Sequence, residues 1–122
     1  MHKENKLHVV YSCSGSSNVA QLTNHLAVKL DRDGIAEMSC ITGVGGNVKP
    51  LVHKAKQAEK IIVIDGCKLQ CALQCLQNQN IEPDIHFTVT EDFQIKKIFH
   101  EDFSPEDADK IYNAVSEKIK TL

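Results

Sequence analysis

Ile61-Ile62-Val63-Ile64-Asp65-Gly66-Cys67 is the stretch that decides the fold. Lys60 to Ile64 is the clearest strand signal in the chain, a short apolar run ended by an Asp-Gly turn pair and a cysteine. Two other segments end the same way, Val9-Val10-Tyr11-Ser12-Cys13 and Met38-Ser39-Cys40. If the three runs are parallel strands, loops after them leave the sheet on one side and their cysteines meet at one edge.

The intervening segments support that reading. Leu7 to Tyr11 is a buried strand, and Ser12-Cys13-Ser14-Gly15-Ser16-Ser17-Asn18 after it is rich in helix N-cap residues. Val19, Leu22, Leu26 and Leu30 then fall at helical spacing, predicting a helix from Ser17 to Arg32 that Asp33-Gly34 stops. Glu37 to Ile41 is a shorter strand, followed by a glycine-rich loop from Thr42 to Asn47. Pro50 opens a second helix with Leu51, Val52, Ala55 and Ala58 on its apolar side. A third starts near Leu69, with Leu69, Ala72, Leu73 and Leu76 on one stripe, and ends at Asn78-Gln79-Asn80.

Asp84 to Val89 is a fourth strand, and Glu91 to Phe103 is the least regular stretch, with room for an edge strand. Ser104-Pro105-Glu106-Asp107 opens a last helix whose Ala108, Ile111, Val115 and Ile119 face inward. Strands alternating with helices predict a doubly wound α/β domain. Its mostly parallel sheet has four or five strands, strand one lies centrally, and helices cover both faces, in a Rossmann-like or flavodoxin-like arrangement.

The 122 residues suit one domain spanning 1–122. Apolar residues make up 42%, charged residues 25%, and the formal charge is −2, without the basic excess that nucleic-acid binding needs. Met1 to Lys6 is polar with no apolar core of a signal peptide, and no apolar run reaches membrane-spanning length, so a soluble cytoplasmic protein is expected. Five cysteines in such a setting are thiols available for metal or redox work rather than a disulfide scaffold. Each taken singly is also readable as a small buried hydrophobe.

Cys13 and Cys67 precede helix N-termini, where the positive dipole end favours thiolate. Cys67 and Cys71 are four apart and can grip one ion, and Cys71 turns away from the apolar stripe; Cys75, a turn further on, is a poorer candidate. Four thiolates at about 2.3 Å make a structural zinc site, and three with an open position suit catalysis or transfer; iron–sulfur ligation is a further, weaker option. Spacing alone does not choose among these. Asp65 is placed to orient a ligand or to act from behind the thiols, or else simply to form the turn. His25, His53 and His86 are scattered and are assigned no site.

The turn Ser14-Gly15-Ser16-Ser17 at a helix start is suited to a small anion. Phosphatase chemistry is disfavoured, because Val19 stands where an arginine six positions after the cysteine would hold the oxyanion.

With Cys13-Ser14-Gly15, a lone Cys40 before a glycine-containing loop, and Asp65-Gly66-Cys67 with Cys71, the chain resembles the DGC-domain family from Val10 to about Lys97. The resemblance implies zinc held by Cys13, Cys40, Cys67 and Cys71, with Cys75 as an extra thiol. The chain departs from the family's Gly-Val-x-Lys segment, having Gln94-Ile95-Lys96-Lys97, so the resemblance assigns Lys97 no role. The leading expectation is a small cytoplasmic zinc-binding protein. The alternatives are a thiol-redox or sulfur-transfer enzyme and a module that recognises a small anion or partner protein, for which the loop with Gly43, Gly45 and Gly46 is a candidate. Substrate, partner and oligomeric state are not written in the sequence.

Overall fold

A computed structural model describes residues 8–122. Leu7, read as the first strand residue, and the polar Met1–Lys6 segment lie outside the described residues. Among the described residues, four strands form one sheet: β1 (His8–Ser12), β2 (Glu37–Met38), β3 (Lys60–Asp65) and β4 (Ile85–Thr88). They run in the order β2-β1-β3-β4, and every pairing is parallel. This is the doubly wound α/β fold, with the flavodoxin-like strand order rather than the Rossmann one. The order reverses direction between β1 and β3, and a doubly wound sheet opens a crevice there, beyond the carboxyl ends of the two strands. Cys13 follows β1 and Cys67 follows β3, so both stand at that crevice.

Alternation along the central strands divides the core in two. Val10, Ile62 and Ile64 face α1 (Asn18–Arg32) and α6 (Pro105–Ile119), packing against Leu22, Leu26, Leu30, Ile111 and Val115. Val9, Tyr11, Ile61 and Val63 face the other side, where α2 (Ile41–Gly45), α3 (Lys49–Gln57) and α4 (Cys71–Gln77) contribute Val44, Val52, Ala55, Ala72 and Leu76. The α1 and α6 helices begin as their sequences dictate. Ser17 Oγ accepts from Ala20 N at 3.1 Å and Ser104 Oγ from Asp107 N at 3.1 Å, caps worth about 1 kcal/mol each. All four inward residues expected of α6 are buried.

Three sequence expectations are corrected. The segment after Cys40 is a short helix rather than a loop, because Cys40 Sγ accepts from Gly43 N and caps it. Its glycines serve close packing: a Cβ on Gly45 would stand 2.7 Å from Cys75 Sγ. The third predicted helix starts at Cys71, not Leu69. Gln70 adopts a left-handed φ of 54°, and Leu69 is 68% exposed instead of lying on the buried stripe. Residues 93–103 hold no edge strand. After the short α5 (Val89–Asp92) the chain runs as a strap past the start of α1, joined to it by the antiparallel bridge Ser17 to Phe99 and by hydrogen bonds from Asn18. No helix among the described residues is long and apolar enough to cross a membrane.

Candidate functional site

Asp65, Gly66 and Cys67 each do a different job. The Asp65 carboxylate, 1% exposed, accepts from Ala72 N at 2.8 Å and Leu73 N at 3.2 Å. It thereby caps α4 from the end of β3, replacing the side-chain cap that Gln70 does not provide. Through this bond pair the strand sets where α4 begins and hence where Cys71 stands. His86 Nε2 lies 2.9 Å from Asp65 Oδ2 and completes this partly buried network.

Gly66 lets the start of α1 approach. An added Cβ would stand 2.9 Å from Val19 C and 3.0 Å from Ala20 N, both rigid backbone atoms. Its N–H donates to Cys13 Sγ at 3.2 Å, joining the turn after β3 to the turn after β1. Cys67 then lines the cavity those turns enclose. Lys97 Nζ, from the strap, donates to Cys67 Sγ at 3.3 Å.

The cavity measures about 120 Å³. Cys13, Cys67 and Cys71 line it together with Asp65, Lys97 and the turn Ser14-Gly15-Ser16-Ser17. Three of the four expected ligands thus share one wall-to-wall space at the carboxyl edge of β1 and β3. Cys40 is not among its lining residues; it stands at the end of β2 as the cap of α2. Cys75 faces Gly45 across the contact between α2 and α4, away from the cavity. All five cysteines are free thiols.

Burial pushes the Cys13 thiol above its ordinary value, against the hydrogen bonds from Thr23 and Gly66 that favour its ionised form. Desolvation thus works against the helix-terminus argument for a Cys13 thiolate. Cys75 is raised as well, by burial first and by the neighbouring Cys71 and Asp65 charges second.

Among the described residues, no group of three or more histidine, cysteine, aspartate or glutamate side chains stands at metal-binding distance. The donor set nevertheless fits a soft or borderline ion in kind: three thiols in one cavity, with N–H groups directed at two of the sulfurs. Gathering the sulfurs around an ion requires local movement of the turns that carry them.

Two participants were invisible to sequence reasoning. His86 reaches Asp65 because β4 pairs in register with β3, Val63 opposite His86, which puts the imidazole on the Asp65 face. Strand alternation at Ile85-His86-Phe87 was the available signal, but it needed the register to become an assignment. Lys97 was given no role, and nothing local in its sequence predicts the path that brings it to Cys67.

A parallel α/β domain with a thiol-lined cavity at the strand-order switch is thus the class the fold and site define. The DGC domain family model matches residues 9–115, and the chain belongs to that family. It is 46% identical over 109 residues to the anaerobic and virulence modulator AnvM of Pseudomonas aeruginosa strain PAO1, a match covering 89% of this chain and 82% of that protein. No solved structure matches it.

Proposed function

We propose that this is a small cytoplasmic metal-binding protein, with zinc held by the thiolates of Cys13, Cys40, Cys67 and Cys71 at the carboxyl edge of the sheet. The observation that carries the reading is the shared cavity of Cys13, Cys67 and Cys71. Cys40, at the end of the neighbouring strand, is the fourth donor. Thiolates supply soft negative ligands, and the N–H groups of Gly66 and Lys97 stabilise charge on two of them. Asp65 contributes from behind by fixing the α4 start, not as a ligand. The relative's description as an anaerobic and virulence modulator supports a regulatory setting for such a centre.

The test is metal analysis of protein purified anaerobically under reducing conditions, with thiols counted before and after chelation. One zinc per chain and about four thiols released by the chelator are expected. Cys67→Ser should lose the zinc, and Cys75→Ser should keep it. Full zinc content in Cys67→Ser would overturn the reading.

A second reading, a thiol-redox or sulfur-transfer enzyme, is favoured by the Lys97 ammonium beside Cys67. In it Cys67 is the nucleophile rather than the buried Cys13, and Cys71 resolves. A metal-free protein in which Cys67 is alkylated fastest at neutral pH would support this reading over zinc binding.

A further inference from the structure

Lys97 is an ammonium group with unusual company. It meets the Cys67 sulfur at 3.3 Å and lies 4.7 Å over the Phe99 ring, and among the described residues it makes no ion pair. Lys97 is also held in place from both sides. Asn18, 6% exposed, donates through Nδ2 to Lys96 O at 2.9 Å, and its Oδ1 accepts from Ile98 N at 2.7 Å. Asn18 N donates to Ile98 O at 3.0 Å. Three bonds from one residue therefore fix the backbone immediately before and after Lys97, and the first residue of α1 aims the ammonium into the cavity.

We propose that Lys97 is a positioning residue of the thiolate centre, donating an N–H···S bond to Cys67 and offsetting the centre's negative charge, with Asn18 as the clamp that aims it. The inference rests on the zinc reading above. Four thiolates around a divalent ion leave an excess of two negative charges, in a cavity that the Asp65 carboxylate also lines. A single directed cation lowers the cost of assembling that charge. On a zinc-bound Cys67, already ionised by the metal, the hydrogen bond also occupies a sulfur lone pair and so blunts attack on electrophiles, whereas on a metal-free thiol it would favour ionisation.

The test compares zinc affinity, by competition with a chromophoric chelator, in wild type, Lys97→Met, Lys97→Arg and Lys96→Met. Iodoacetamide labelling of Cys67 in the zinc-loaded proteins is followed in parallel by peptide mass spectrometry. Lys97→Met should weaken zinc about tenfold and speed Cys67 labelling, as loss of a partner behind a metal ligand does. Lys97→Arg, which keeps charge and donors, and Lys96→Met, which removes a neighbouring exposed charge, should stay near wild type. Should Lys97→Met misfold, Lys97→Gln reports the charge alone. Unchanged affinity and labelling in Lys97→Met, or in Lys97→Gln, would overturn the inference and leave the zinc reading standing. A wild-type protein that takes up no zinc would instead overturn that reading, and this inference with it.

Discussion

The two faces of the sheet are built on different terms. One is covered by α1 and α6, fifteen residues each, both capped by serine and both packing a regular apolar stripe. The other is covered by α2, α3 and α4, of five, nine and seven residues, none capped in the same way. There Cys40 caps α2 and Asp65 caps α4, so residues proposed for the site also hold up the local fold. The core of the first face holds no cysteine, and α1 meets the site only at its start, where Asn18 holds the segment around Lys97. On the second, stability and thiol placement depend on the same side chains.

Three substitutions would break or sharpen that contrast. The largest effect belongs to the regular face: Leu26→Ala should cost about 2–5 kcal/mol by leaving a cavity, read from urea denaturation. The labelling order of the cysteines under native conditions should not change, since Leu26 belongs to the core cluster that holds no cysteine. Asp65→Ala should cost about 2–3 kcal/mol by stranding the N–H groups of Ala72 and Leu73. Unlike Leu26→Ala it should also speed hydrogen exchange along residues 71–77 and loosen Cys71. Unchanged exchange in α4 would mean that the short helices do not lean on the site.

The smallest effect concerns Tyr112, whose hydroxyl donates to Asp33 Oδ2 at 2.6 Å. Burial, together with that carboxylate, pushes its phenol well above the ordinary value of 10.0. The folded state thus keeps a proton that the unfolded chain releases, so stability is full below pH 10 and falls as pH rises past it. Tyr112→Phe should give a flatter profile between pH 9 and pH 11 in urea melts. The slope should not vanish, because burial raises Tyr11 as well.

The same contrast governs what the sequence could tell. The α1 and α6 helices are readable because local signals agree: cap, apolar spacing and stop from Ser17 through Leu30 to Gly34, and cap with apolar spacing from Ser104 through Ile119. The parallel sheet and the edge shared by Cys13 and Cys67 followed from apolar runs ending in cysteine. On the other face the local signals mislead. Glycines at 43 and 45 suggest a loop but permit helix packing, and Leu69 keeps helical spacing although Gln70 turns left-handed before the helix starts. Asp65 with His86 and Cys67 with Lys97 are contacts across 21 and 30 positions, set by register and by the strap's course, which no local pattern encodes.

The wholly parallel sheet has a consequence for how the molecule comes into being. No hairpin closes early: Gly66 and Cys13 are 53 positions apart, and Asn18 and Lys96 are 78 apart. Each such closure must be made against chain entropy before it is rewarded, which slows folding and postpones completion of the cavity. During synthesis Cys13, Cys40, Cys67 and Cys71 all leave the ribosome before Lys97 does. A nascent chain therefore carries unsheltered thiols for a time, and a reducing environment matters to this protein most while it is being made.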